Sequence, residues 1–365
     1  MFKNLTEIQK KLIKIIIFGF IIVGLLFLTI WLMRKVTGGK LSYDKIEDKM
    51  VSAAEKYYEA NEDLLPKEEV SKVEVDAETL AKKGYMQDLN SYTDKNVSCS
   101  GKVVVLRNGD NYDYIPKLDC GEDYNTLSLA KKLIDTDLVT ESDGLYEIDG
   151  EYVYRGEKLN NYVKFAGMNF RVLRITSDNE IRLIQVDNVK QEDWDNRYNA
   201  EKKTTAGIND FNVSRIKDNL EEIYNGETFK AKDKAKIIPK QLCIGKRYED
   251  DASKSGYTEC DVLTEEYYPL GLIQLNEFLI ASIDEGCVGI KSRQCTNYNF
   301  LAGFNKNYWT LTANKSNTYQ VYYIDIMPQI GLARKPAGIK LVINISGEIN
   351  YASGNGTLEE PYVID

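Results

Sequence analysis

Ser42 is followed three residues later by Lys45, a spacing that puts a hydroxyl nucleophile and an amine base one helical turn apart. Ser177-Asp178-Asn179 could complete a site of that kind. The pattern recurs at Ser128 to Lys131 and at Ser214 to Lys217, and no Lys-Thr-Gly follows it, so serine acyl transfer is not expected. The chain of 365 residues contains no histidine. That excludes a Ser/His/Asp triad, a Cys/His pair, an H-E-x-x-H zinc site and His-ligated iron. The acidic run Glu249-Asp250-Asp251 lacks the ligand spacing of a calcium loop and reads as a solvated turn. Gly354-Asn355-Gly356 has neither the helix nor the lysine of a phosphate loop behind it. No catalytic residue, metal ligand or cofactor is assigned.

Recognition chemistry is better represented. Between Thr296 and Tyr323, 16 of 28 residues are Asn, Tyr, Thr or Ser, the mixture that gives a surface adaptable hydrogen bonds and stacking rings. Tyr298, Asn305, Asn307 and Tyr319 are the candidate ligand-binding residues, whereas Trp309 is expected to anchor the core. A net charge of −9 and the lack of a clustered basic patch argue against a nucleic-acid partner. A glycan or a surface protein fits the composition better.

Six cysteines, Cys99, Cys120, Cys243, Cys260, Cys287 and Cys295, fall into three sequence-local pairs, the pattern of an oxidising compartment. Six thiols allow 15 connectivities. Local pairing is preferred because near thiols close with least entropy loss, and crossed pairing of Cys243 and Cys260 stays open. All six follow the apolar run Ile15 to Met33. Nineteen residues at roughly 1.5 Å each make a helix of about 28 Å, matched to a hydrocarbon core of about 30 Å. Lysines flank the run on both sides, so the cysteines set the expected orientation, N-terminus in the cytoplasm and bulk outside. Cleavage of a signal peptide near Val36-Thr37-Gly38-Gly39 is the alternative.

Apolar spacing at Ile46, Met50, Ala53 and Tyr57 predicts an amphipathic helix over 42–60, and Asp76 predicts the start of a second helix that ends before Gly84. Val103 to Leu106 and Tyr112 to Leu118, either side of Asn108-Gly109-Asp110-Asn111, predict a β-hairpin. Its register sets Cys99 opposite Cys120, and a disulfide there would contribute roughly 3 kcal/mol in the chain-entropy model. Residues 126–143 read as a short helix running into a linker. Alternating strands follow at 152–165, 170–175 and 181–184, then a helix over 213–224. A strand and short helix are expected at 270–280, and further strands at 308–312, 319–326 and 339–345.

The segment carrying Ser42-Tyr43, Ala53-Ala54, Tyr57-Tyr58, Asn61, Leu65-Pro66, Gly84-Tyr85-Met86 and the Cys99 to Cys120 pair resembles the headpiece of pilin-like proteins of Gram-positive bacteria. Where pilins carry a processing glycine before the apolar run, this chain has Lys14. Residues 144–365 resemble an uncharacterised bacterial surface domain related to the C-type-lectin and formylglycine-generating-enzyme fold. The carrying residues are Asn161-Tyr162-Val163, Phe170-Arg171-Val172, Trp309-Thr310-Leu311-Thr312, Ser353-Gly354-Asn355-Gly356-Thr357 and Pro361-Tyr362. Lys340, in Gly338-Ile339-Lys340-Leu341, replaces the arginine of the family's Gly-Val-Arg-Pro, and lysine is the poorer bidentate partner.

The expected fold class is α+β: an N-terminal transmembrane helix, a small pilin-like helix-plus-hairpin module, then a larger mixed antiparallel C-type-lectin-like domain. The expected boundaries are 1–39 for tail and anchor, 40–125 for the pilin-like module, 126–143 for the linker and 144–365 for the lectin-like domain. The expected function is non-catalytic recognition or adhesion at a bacterial surface, with the anchor helix in membrane lipid. The alternative is a structural subunit of a pilus-like or type II secretion-like assembly.

Overall fold

The computed structural model describes residues 40–67, 71–108, 111–304 and 307–364. It is α+β, with mostly strands and few helices. The expected membrane anchor requires correction. No helix among the described residues is long and apolar enough to cross a membrane, so the transmembrane element of the fold and the single-pass localisation are not supported. The run 15–33 itself lies outside the described residues. All six cysteines are paired, Cys99 with Cys120, Cys243 with Cys260 and Cys287 with Cys295, which fits an extracellular, disulfide-bonded protein.

The chain divides into two compact units. The first comprises the described residues up to Leu65 together with Val73–Val104 and Pro116–Asn125. Its helix α1 (Tyr43–Glu59) buries Ile46, Met50, Ala53, Ala54, Tyr57 and Tyr58, the stripe that the spacing predicts. Strand β1 (Lys72–Asp76) leads into the short helix α2 (Ala77–Lys82), which ends before Gly84 at φ 83°. Strands β2 (Ser100–Asn108) and β3 (Asn111–Asp119) complete a sheet of order β1-β2-β3, stapled at its base by Cys99–Cys120. Gly101 admits α1 against this sheet: a Cβ there would meet Met50 Cε and Lys117 O at 2.8 Å each.

The second unit holds Pro66–Lys72, Val105–Ile115 and everything from Thr126 onward. Residues 126–143, expected as a linker, contain α3 (Leu129–Asp137), whose Leu129, Ala130 and Leu133 join the core of this unit. Strands β4 (Gly144–Ile148), β5 (Glu151–Arg155), β6 (Tyr162–Phe165), β7 (Met168–Ile175) and β8 (Glu180–Gln185) build one side of an eight-stranded sheet. The β7–β8 turn is Ser177-Asp178-Asn179, with Asn179 at φ 58°, a conformation asparagine tolerates.

After β9 (Lys190–Asp193) come α4 (Arg215–Asn225), α5 (Ala231–Lys234), β10 (Lys240–Cys243), α6 (Tyr257–Cys260), β11 (Leu263–Tyr268) and α7 (Leu275–Ala281). The chain then runs through β12 (Tyr308–Ala313), β13 (Gln320–Asp325), β14 (Met327–Leu332), β15 (Pro336–Ile339), β16 (Val342–Ser346), β17 (Tyr351–Ser353) and β18 (Tyr362–Ile364). A five-stranded sheet has the order β14-β13-β12-β15-β9; the eight-stranded sheet runs β16-β8-β7-β6-β18-β17, with β5 joining β4 to β7.

One difference from the sequence reading matters for the site. The single strand expected over 339–345 is two strands, because β15 belongs to the five-stranded sheet and β16 to the eight-stranded one. Lys340-Leu341 is the step between sheets. Trp309 is fully buried, and its Nε1 donates to Glu192 O at 2.9 Å. An ion-pair network braces this core: Glu277 of α7 accepts from Arg174 at 2.5 Å and from Arg182 at 2.7 Å, and Arg174 also reaches Glu151 at 3.0 Å.

Candidate functional site

The segment Phe170-Arg171-Val172-Leu173 of β7 is buried on both faces, so a cation within it is largely withdrawn from bulk water. Arg171 is 6 % exposed. Its guanidinium lies between the rings of Tyr162 and Phe300, 4.5 Å and 4.6 Å from their centroids, a cation–π sandwich. Nε donates to Asn161 Oδ1 at 2.7 Å and Nη2 to Leu159 O at 3.3 Å. Asn161, fully buried, is itself held by Val172 O at 2.8 Å. Burial pushes the Arg171 pKa down to about 10, so the group stays charged at neutral pH. Among the described residues no carboxylate pairs with it; the groups that face its charge are the two rings and the oxygens of Asn161 and Leu159.

Arg171 lines a cavity of about 580 Å³ that also presents Tyr162, Asn188, Phe300, Phe304 and Lys340. Lys340, 3 % exposed at the step between the sheets, donates to Val186 O and lies 4.3 Å from the Phe304 ring centroid and 5.5 Å from that of Tyr308. Lys340 thus puts its side-chain nitrogen beside the aromatic part of the cavity wall. Asn188 donates a long bond, 3.3 Å, to Asn307 O, while its buried Oδ1 accepts no hydrogen bond among the described residues. The acids on the wall, Glu157 and Asp187, are solvent-exposed. The interior of the cavity is thus cationic and aromatic, with its carboxylates facing water.

Local sequence explains how the walls are held. Asn299 donates to Phe278 O at 2.9 Å and Cys295 O at 2.8 Å and accepts from Leu301 N at 3.0 Å, so the loop carrying Phe300 is tied to α7 and to the Cys287–Cys295 staple. The terminal Gly354-Asn355-Gly356 is a turn. Gly354 sits at φ 95° and Gly356 at φ 76°, and an added Cβ would meet Pro361 O or Asn160 O at 2.1 Å. Gly356 O receives the amide of Tyr162 at 2.9 Å, so this turn sets one ring of the sandwich.

The four residues chosen from composition are not brought together. Tyr298 is 55 % exposed, at φ 45°, and does not line the cavity. Asn305 lies outside the described residues. Asn307 does not line the cavity; its carbonyl accepts from Asn188, which does, and from Gly338 N at 3.1 Å. Tyr319 belongs to a separate loop, under Lys202 Nζ at 5.0 Å, tied down by Asn199 and by Asn209, which donates to Asn314 O, Asn317 O and Gln320 O. Much of the asparagine is spent on loop architecture: Asn314 Oδ1 accepts from Ser316 N and Asn317 Oδ1 from Tyr319 N.

Ser42 precedes α1 in the first unit, and Ser177-Asp178-Asn179 is a hairpin turn in the second. Asp251, from the acidic run, accepts from Thr258 Oγ1 at 2.6 Å and Ser253 N at 2.8 Å, a local turn. Sequence reasoning named Arg171 only within the Phe170-Arg171-Val172 motif and Lys340 only as a departure from a family pattern, and chose neither as a site residue. The available signal was a charge inside an apolar run too short and too buried on both faces to let it out.

Comparison with known proteins returns no matching family model, no matching curated protein and no matching solved structure. The pilin-like and lectin-like resemblances rest on their quoted motifs alone.

Proposed function

We propose that the second unit is a non-catalytic recognition domain working in an oxidising, extracytoplasmic setting, with the Arg171 cavity as its ligand site. The observation that carries this reading is a buried guanidinium on an open cavity wall with no carboxylate of its own. A buried charge costs several kcal/mol unless compensated, and a ligand can supply what the fold withholds. The cavity volume falls within the range of about 300–1,000 Å³ usual for small-ligand sites. The absence of histidine and the use of all six cysteines as disulfides favour binding over catalysis.

The test is an array of cell-wall and host glycans probed with the chain and with Gly303→Leu. Gly303 lies exposed on the cavity wall, where only Phe300 O comes within 4 Å of an added Cβ, at 3.6 Å, so a leucine there fills the cavity without a clash at its base. Binding by the parent and none by the variant supports the reading; equal binding by both, or turnover of a glycan by the purified chain, overthrows it. An assembly subunit remains the second reading, motivated by the helix and hairpin of the first unit.

A further inference from the structure

The chemistry of the walls narrows the ligand. Arg171 spends Nε and Nη2 on Asn161 and Leu159, while Nη1 makes no hydrogen bond among the described residues. Three N–H groups remain, two on Nη1 and one on Nη2, and such a planar fork matches the two oxygens of a carboxylate. Lys340 adds a second positive charge to the same cavity. Asn188 Oδ1, a buried acceptor without a donor among the described residues, can be satisfied by a hydroxyl once its amide, which packs over Gly338 and donates to Asn307 O at 3.3 Å, turns toward the cavity. The rings of Phe300, Phe304 and Tyr162 supply faces for the apolar side of a sugar. Glu157 and Asp187 oppose an anion, but from solvent, where their charge is screened.

We propose that this cavity binds a hydroxycarboxylate of the sugar-acid class, its carboxylate on Arg171 and a hydroxyl on Asn188. This inference rests on the recognition reading above and adds the ligand class to it. The test is calorimetric titration of the chain with D-glucuronate, D-galacturonate and N-acetylmuramate, beside D-glucose, D-galactose and N-acetylglucosamine. At least one acid is expected to bind about tenfold or more tighter than its neutral counterpart, and Arg171→Met to weaken it by about 10- to 100-fold, the factor for a lost charge-assisted hydrogen bond. Because Arg171→Met removes a packed side chain, Gly303→Leu serves as the second variant, expected to abolish binding with an unchanged melting temperature. Neutral sugars binding as tightly as the acids, and lost in Gly303→Leu, would overturn the sugar-acid inference and leave the recognition reading standing. Acids binding equally to Gly303→Leu would overturn both. Silence toward all three acids would overturn the inference, and the glycan array would then decide the recognition reading by itself.

Discussion

Arg171 and Glu277 are both charged and both buried, yet their surroundings treat them in opposite ways. Glu277, 3 % exposed, is met by two guanidinium groups and the backbone amide of Gln274. Burial alone would raise its pKa, but Arg182 and Arg174 outweigh it and hold the carboxyl down at about 2. A carboxyl with its folded pKa depressed adds stability above its unfolded pKa, about 4.3, and loses it as pH falls toward about 2. Glu277→Gln is expected to cost about 3 kcal/mol at neutral pH, since it leaves Arg182 buried without its counter-charge. Urea melts of the two proteins should converge between pH 4 and pH 2; a constant difference across that window would show that the loss comes from packing rather than charge. Arg171 has no such carboxylate partner among the described residues, and that contrast within one unit is the ground on which its cavity is proposed as a site.

Among the elements, short turns and staples matter more than long helices for the cavity. Gly356→Ala would force a left-handed φ on an alanine and drive its Cβ into Asn160 O, so a loss of about 2 kcal/mol or more is expected, with ligand affinity falling as the Tyr162 strand shifts. Thermal melts and titration together check this; a variant as stable as its parent would show that the turn yields without moving β6. Opening Cys287–Cys295 by paired serine substitution should loosen the loop that carries Phe300, which Asn299 anchors to Cys295 O. Ligand binding should therefore weaken more than the unfolding midpoint shifts, and the reverse order would count against the loop's role.

The elements also show what was legible beforehand. The α1 stripe and the β2–β3 hairpin are local patterns with a clear period, and the structure has both, with Cys99 joined to Cys120. The pairing β10 to β11 is absent from the sequence reading because Leu263–Tyr268 carries two glutamates on exposed positions and its register with β10 is irregular. The break at Lys340 was equally hidden. Two apolar strands in succession look like one until their partners, β9 and β12 on one side and β8 on the other, are known.

For the whole molecule, the region that composition singled out and the proposed cavity overlap only in part. The stretch from Thr296 does contribute Asn299, Phe300 and Phe304 to the cavity, but its exposed Tyr298 and its turn-forming asparagines serve elsewhere. Exposure cannot be read from residue type, and the deciding cations come from strands remote in sequence, Arg171 on β7 and Lys340 after β15. The anchor inference failed differently, since no helix among the described residues can cross a membrane and the apolar run lies outside them. The three disulfides fit an oxidising setting.

The claim at the centre of this account is that a ligand reaches the guanidinium of Arg171. The most direct measurement is an arginine-selective ¹⁵N spectrum of the full chain, with the Arg171 signals identified by their absence in Arg171→Met, recorded while D-glucuronate and the strongest glycan from the array are added. The account predicts that the Arg171 guanidinium resonances shift along the binding curve while those of Arg174 and Arg182, locked on Glu277, stay in place. A ligand that saturates the protein and leaves Arg171 unmoved would contradict it.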